Sequence, residues 1–399
     1  MKTIVTTRRT VLGTALGAAA GMAGLSGAKA QGAKPGMPSA PVSLNIIDVA
    51  GNLQLTQRSF EEYRKANPNY VSRIAFSQAP APELPGKLKA QQAANRVDID
   101  LVLTGTDALA AGIQQGLWEK LFPDYAAALP KLADILLPGA SRMQALAEDQ
   151  AVCVTYCPGG PLLEYMPDRV KQPPTTIEEL LAWAKAHPKR FMYARPANSG
   201  PGRAFLMGLP YLLGDRDPKD PDKGWDKTWS YLEELGHNIE YYPTGTGATM
   251  KELGEGSRDI IATMTGWDIN PRALGVVPKE AEIAVLKGFH WVTDAHYMAI
   301  PKGLSAEKRA LLLDLIGFML TPKAQAATYD KGFFYPGPAV KGVTLDLAPA
   351  DSQDVIKEYN RPFYDKLIAE APAETPLSAE RMVFAFQRWD QQIGAKVGK

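Results

Sequence analysis

Short apolar runs alternate with amphipathic helical patterns from residue 42 to about residue 120, and this alternation constrains the fold more than any other feature of the chain. "VSLNIIDVAG" reads as a strand that ends at Gly51. "TQRSFEEYRKANP" has helical spacing, with Phe60 and Tyr63 on one face and Pro68 past its end. "YVSRIAFSQ" alternates as a strand, and "ELPGKLKAQQAANRV" is a polar helix. "DIDLVLTG" is a short apolar strand of the kind buried in a parallel sheet, and "DALAAGIQQGLWEKL" is the next helix. Strands and helices of these lengths connect by right-handed crossovers. The expected class is therefore α/β, with open, mostly parallel sheets flanked by helices.

The pattern continues through the middle of the chain. A strand is expected around residues 152–156. In "PPTTIEELLAWAKAHP", Thr175 or Thr176 can cap a helix, with Glu178 or Glu179 three residues on to complete a capping box. "RFMYARP" reads as a strand, "NSGPGRAFLMGLPYLLG" as a loop entering a helix, and "RDIIATMTGWD" as a strand with a loop. "AEIAVLKGFHWVTDAHYMAIPKG" holds long β-type runs. Ser305 can cap "AEKRALLLDLIGFML", and Thr321-Pro322 restarts a second helix that ends at Gly332. Residues 346–399 carry further helical patterns and read as a helical tail.

Cys153 and Cys157 lie in the strand-like "AVCVTYC". Four residues of strand cover roughly 13 Å, beyond the Cα separation of about 7 Å that a disulfide spans. They are expected to be small buried apolar residues.

The first thirty residues carry a different message. Arg8-Arg9 precede a soft apolar run at residues 11–25, too short for a membrane span of about 20 residues. Ala28-Lys29-Ala30 is a small-residue site that fits cleavage before Gln31. "TRRTVL" resembles the twin-arginine type of bacterial signal, which carries folded cargo. Residues 31–41, "QGAKPGMPSAP", read as a flexible leader. Cleavage after Ala30 would remove Lys2, Arg8, Arg9 and Lys29 with no acid, turning a net charge of +1 slightly negative. That balance suggests neither nucleic acid nor an anionic membrane as a partner. The remaining length of about 370 residues suits two lobes rather than one core.

"LLLDLIGFMLTPKAQAATYDKGFFYPGPAV" resembles a segment of the extracellular solute-binding proteins of bacterial ABC importers, which have the type II periplasmic binding fold. An apolar helix, a Thr-Pro turn into a second helix with Gln-Ala, and a Gly-aromatic-Pro loop follow one another there. "PPTTIEELLAWAK" and "DIDLVLTGTD" with "GLWEKL" resemble further family segments, so the likeness spans about residues 42–345. The resemblance implies two α/β lobes joined by strands that cross between them, near 152–156 and 291–300. Lobe one would be 42–152 plus 298–345, and lobe two 155–292. It implies a small-molecule ligand held in the cleft by hinge closure, permease subunits in the inner membrane as partners, and a periplasmic, monomeric, non-enzymatic protein.

Ligands of open α/β sheets lie outside the carboxyl ends of strands. That rule points to the loops with Asn52 and with Thr104, Thr106 and Asp107, both entering helices whose free N–H groups favour a polar or anionic group. "RPANSGPGRAF" offers Ser199, Gly200 and Arg203, the last able to clamp a carboxylate or phosphonate. "MTGWD" and "FHWVTDAH" offer Trp267, Asp268, Trp291 and Asp294, aromatic faces and carboxylates that suit an amine or hydroxyls. Tyr156 and Tyr335 complete the candidate set, Tyr335 in the aromatic loop "GFFYPG". "YYPTGTGATM" lacks a third glycine and reads as a turn. His290, Asp294 and His296 share a strand face, but His290 and His296 would lie roughly 20 Å apart. No metal or cofactor is expected.

These features favour a solute-binding component for an amine-bearing compound, polyamine-like or zwitterionic. A carbohydrate-binding component remains open, as does a secreted hydrolase. The chain shows no GxSxG and no HExxH, and its four histidines leave few catalytic choices.

Overall fold

Two sheets organise residues 36–395, the part of the chain that the computed structural model describes. In chain order the strands are β1 (Val42–Asp48), β2 (Val71–Gln78), β3 (Leu101–Gly105), β4 (Ala151–Gly160), β5 (Leu162–Tyr165), β6 (Phe191–Met192), β7 (Ile260–Thr263), β8 (Glu282–Ala284), β9 (Trp291–Ala299), β10 (Gly337–Pro338) and β11 (Ala373–Glu374). The first sheet runs β10-β4-β9-β3-β1-β2, with β11 attached to β9; the second runs β6-β7-β5-β8.

The α/β class expected from the alternation is the class observed. The sheets, however, are mixed rather than mostly parallel. β1, β2 and β3 pair in parallel, joined by the helices Asn52–Ala66 and Leu84–Ala93. β9 runs antiparallel to both β3 and β4, and in the second sheet only β6 and β7 are parallel. The antiparallel pairs come from long-range insertion: β9, far along the chain, enters between β3 and β4, a placement that no local alternation signals. The apolar run of β3 is explained by burial, for Leu101, Val102 and Leu103 are fully enclosed.

The passage between sheets differs from expectation. β4 stays paired with β9 as far as Gly160, so the chain leaves the first sheet at Pro161 rather than within 152–156. It returns through residues 285–290 into β9. Gly159 permits this long pairing. Its φ is +91°, and a Cβ there would lie 2.1 Å from the carbonyl oxygen of Val292.

Each sheet carries its own apolar core. In the second core the C-terminal residues are structural members, not an appended tail. Leu377, Met382, Ala385 and Trp389 are buried in it, and Trp291 N–H donates to Pro372 O where β11 joins β9. The leader's described end is likewise packed, with Met37 against the first core and Pro38 buried. Residues 1–35 and 396–399, including the signal and its cleavage site, lie outside the described residues.

Local signals were uneven. Thr176 Oγ1 accepts from Glu179 N–H at 3.1 Å, and Glu179 Oε2 accepts from Thr175 N–H at 2.7 Å, a capping box spread over two threonines. Ser305 Oγ accepts from Lys308 N–H as anticipated. Thr321 does not cap: its hydroxyl donates back to Phe318 O at 2.7 Å, and the helix Pro322–Ala327 stops short of Gly332. "TGWD", read as a loop, opens the helix Thr265–Ala273, which tolerates Pro271. Cys153 and Cys157 are buried free thiols.

Trp389 is buried edge-on to Tyr193 and Tyr242, and its indole donates to the Tyr193 hydroxyl at 3.0 Å. Trp389→Ala is predicted to remove about 3–5 kcal/mol of stability. Urea unfolding should show this as a lower midpoint, and a shift of less than 1 kcal/mol would contradict the tail's place in the core.

Candidate functional site

β1, β2 and β3 end at one side of the first sheet, facing the starts of two helices from the second: Gly200–Leu212 and Thr265–Ala273. The space between them is a cavity of about 450 Å³, of a size that suits a small molecule. Strand ends facing helix starts are where α/β sheets place ligands.

Arg203 holds the two sides together. It is 4 % exposed; Nη1 donates to Asp107 Oδ2 at 2.8 Å and Nη2 to Asp294 Oδ2 at 2.7 Å. Asp107 stands on the helix Thr106–Gln114 beyond β3, and Asp294 on β9. Burial works against the guanidinium charge, but Asp294 and Asp107 outweigh it and keep the group firmly protonated. Burial pushes the Asp107 carboxyl above the ordinary carboxylate range, with Arg203 offsetting only part of that cost. Thr106 donates to Asp294 Oδ1 at 3.0 Å, fixing the second carboxylate from behind.

Three of the helix starts around the cavity are met by the chain's own side chains, whereas Thr246–Gly254 and Thr265–Ala273 carry no side-chain cap. Asp48, at the end of β1, accepts N–H bonds from Ala50, Asn52 and Leu53 at 2.9–3.1 Å. Asp107 Oδ1 accepts from Ala108 N–H, and Ser199 Oγ from Gly202 N–H at 3.1 Å. At these three starts, part of the N–H capacity expected for an anionic ligand is already engaged. Three carboxylates thus face one guanidinium in the cavity wall.

An aromatic side completes the wall. Trp267 meets Phe333 edge-on with centroids 5.3 Å apart, and Phe334 stacks on His296 at 4.1 Å. Thr265 Oγ1 donates to Tyr335 O at 2.9 Å, tying this aromatic loop to the helix opposite. Burial lowers the His296 pKa to about 4, more than Asp294 and Asp48 raise it, so the ring is neutral at pH 7.

Asp107, Ser199, Gly200, Arg203, Trp267 and Asp294 all line the cavity. The other candidates do not. Thr104 and Thr106 are buried, Thr104 bonded to Gly105 O and Thr106 to Asp294. Asn52 turns inward, its Oδ1 accepting from Thr56. Tyr156 packs on the first core with its hydroxyl over Gly139. Asp268 is fully buried among Arg272, Arg361 and Tyr364, and so is charge-compensated away from the cavity. Trp291 is core, its indole bonded to Leu367 O. The Tyr335 ring packs beside Asn360, whose Nδ2 donates to its hydroxyl at 3.2 Å.

Sequence reasoning missed Asp48, Gln78, Thr246 and Met264, and set aside His296. The strand-end rule held a usable signal, because Asp48 and Gln78 are the last residues of β1 and β2 and Met264 follows β7. Thr246 lies in the presumed turn "YYPTGTG". It opens a helix and shares a hydrogen bond with Ser199 at 2.7 Å.

The match to known proteins covers most of the chain. The family described as bacterial extracellular solute-binding protein matches residues 59–358. No curated protein sequence matches. Among solved structures, the fold is similar to the spermidine/putrescine ABC transporter substrate-binding protein of Streptococcus pneumoniae, with TM-score 0.60 and 13 % identity over 88 % of this chain and 99 % of that one. A periplasmic thiamin binding protein gives TM-score 0.62 and 16 % identity over 91 % and 99 %. The fructose-6-phosphate-bound periplasmic binding protein of Actinobacillus pleuropneumoniae gives TM-score 0.60 and 16 % identity over 88 % and 98 %. These likenesses establish the type II periplasmic-binding-protein fold.

Two predictions come from this geometry. Arg203→Met leaves Asp107 and Asp294 buried without their cation, and should cost about 3–5 kcal/mol at pH 7. A melting temperature equal to wild type would mean the ion pairs fix nothing. Asp330 sits at the root of the Phe333–Phe334 wall, where burial raises its carboxyl to about 6 and Oδ2 has no partner. Because the folded-state value is raised, Asp330 favours folding in acid, and this contribution is lost as pH rises through about 6. Asp330→Asn should therefore exceed wild-type stability at pH 8 by about 1–2 kcal/mol, allowing for partial solvent screening, and match it below pH about 4. Paired urea titrations at the two pH values check the sign.

Proposed function

The chain belongs to the bacterial extracellular solute-binding protein family, and from that premise we propose that its cleft takes a small amine-bearing solute. It is the substrate-binding component of an ABC transporter, a transport component and not an enzyme. The proposed place of work is the periplasm, with a membrane permease as the receiving partner.

The observation that carries the ligand class is the charge of the cavity wall. Asp48, Asp107 and Asp294 oppose Arg203 alone, and the neighbouring His296 is neutral. An ammonium group is favoured by that excess of carboxylate and by the aromatic faces of Trp267 and Phe333. Arg203 is engaged at both terminal nitrogens, which argues against a ligand carboxylate clamped there. This narrows the earlier choice between a plain amine and a zwitterion toward the plain amine. The fold alone does not choose, since similar structures include proteins named for spermidine/putrescine and for thiamin and one with fructose 6-phosphate bound.

The proposed motion is a closing of two lobes, one built on each sheet, about Pro161 and residues 285–290. Asn198 Oδ1 accepts from Ala81 N–H at 3.1 Å across the cleft, a contact that such closing would make or strengthen.

Thermal-shift measurement with putrescine, spermidine, glutamate, glucose, fructose 6-phosphate and phosphate tests the reading. Putrescine or spermidine at 100 times its dissociation constant should add about 2.7 kcal/mol of stability. Stabilisation by the sugar or the anions alone would overturn the amine assignment.

A further inference from the structure

His296 lies deep in the cavity with hydrogen-bonding capacity that the protein does not use. It is 4 % exposed on β9, two residues from Asp294 and on the same face of the strand. Its ring lines the cavity, and Nδ1 has no hydrogen-bond partner. A buried polar atom left unmatched costs free energy, so such an atom beside a ligand space calls for a ligand partner. The ring stacks on Phe334 with an interplanar angle of 27°, which favours this orientation.

The surroundings fix the form of the ring. Asp294 on its own strand, Asp48 at the end of β1 and Arg203 on the helix Gly200–Leu212 are the charged groups that act on it. The two carboxylates favour a proton and the guanidinium opposes one, but burial decides, and the imidazole stays neutral. A neutral imidazole offers one lone pair and one N–H. Beside these two carboxylates, the lone pair is the feature that a positively charged donor would use.

We infer that His296 is a specificity-determining residue whose ring nitrogen accepts an N–H from the ligand's ammonium group. The inference rests on the amine reading above and goes further: the cleft is built for primary or secondary ammonium, not for a quaternary one. The aromatic wall by itself would accept a quaternary ammonium equally well. A site that matches its polar groups to a donor rejects an analogue that lacks the donor, because those groups are then left unpaired.

The test is calorimetric titration of putrescine and spermidine, each beside its fully N-methylated form, against wild type, His296→Phe and His296→Gln. His296→Phe keeps the stack on Phe334 and removes both nitrogens, whereas His296→Gln restores an acceptor. Wild type should prefer the N–H-bearing amine by about tenfold, a size fitting one buried hydrogen bond. His296→Phe should lower that preference to within about threefold, and His296→Gln should keep most of it. Equal far-ultraviolet spectra and cooperative melts will show that both variants fold. A tenfold preference that survives in His296→Phe overturns the inference and leaves the amine reading standing. If wild type binds neither amine in either form, both fall together.

Discussion

A guanidinium buried between two carboxylates is the constraint on which the site depends. Arg203, Asp107 and Asp294 come from stretches of chain more than 90 residues apart, and from different sides of the cavity. A buried arginine is tolerable only when paired, so the three elements that carry these side chains must meet. That requirement places the helix Gly200–Leu212 of the second sheet against β9 and the helix Thr106–Gln114 of the first. The cavity is the space left beside this contact.

The same logic governs the helix starts. An open helix N-terminus attracts an anion through its unpaired N–H groups and dipole. Here Asp48, Asp107 and Ser199 fill those positions from within the chain. Asp48 does so from the end of β1, so the strand end that faces the ligand brings a negative charge with it. A site of this fold that left its helix starts empty would favour phosphate or carboxylate. With three of its starts capped from within the chain, the pull on an anion is weakened.

Much of this was legible in the sequence, and what was not has a common cause. The α/β alternation, the Thr176–Glu179 box and the Ser305 cap are local signals, and local chemistry decides them. The loops carrying Asp107, Ser199, Gly200 and Arg203 were legible because glycine and polar residues cluster where helices begin. Asp268 and Trp291 were chosen for having the right chemical type, but partners distant in sequence withdrew them. Arg361, 93 residues on, neutralises Asp268, and Leu367, 76 residues on, takes the indole N–H of Trp291. Asp48 and Gln78 went unseen for a different reason. The strand-end rule was applied to the loops after the strands, whereas the last strand residues also face the cavity. The mixed sheets were missed because strand order within a sheet depends on partners distant in sequence, as where β9 enters between β3 and β4 and runs antiparallel to both.

The C-terminal segment extends the argument from the site to the whole molecule. Arg361 and Tyr364 secure Asp268 at the start of the helix Thr265–Ala273, the helix whose first residues carry Trp267 and the Thr265 bond to the aromatic loop. One turn of that helix thus points a carboxylate inward to the tail and an indole outward to the cavity. Asp268 is balanced by two arginines that also act on the buried Glu164, whose carboxyl is raised well above its ordinary range by burial; Asp107 and Asp294 share one arginine. The inner cluster lies away from the cavity, while the cavity wall retains an excess of acceptors over cations. The two clusters use the same residue types, and the ratio of arginine to carboxylate separates them. An ammonium ligand would bring the cavity nearer to the balance that the tail already gives the inner cluster.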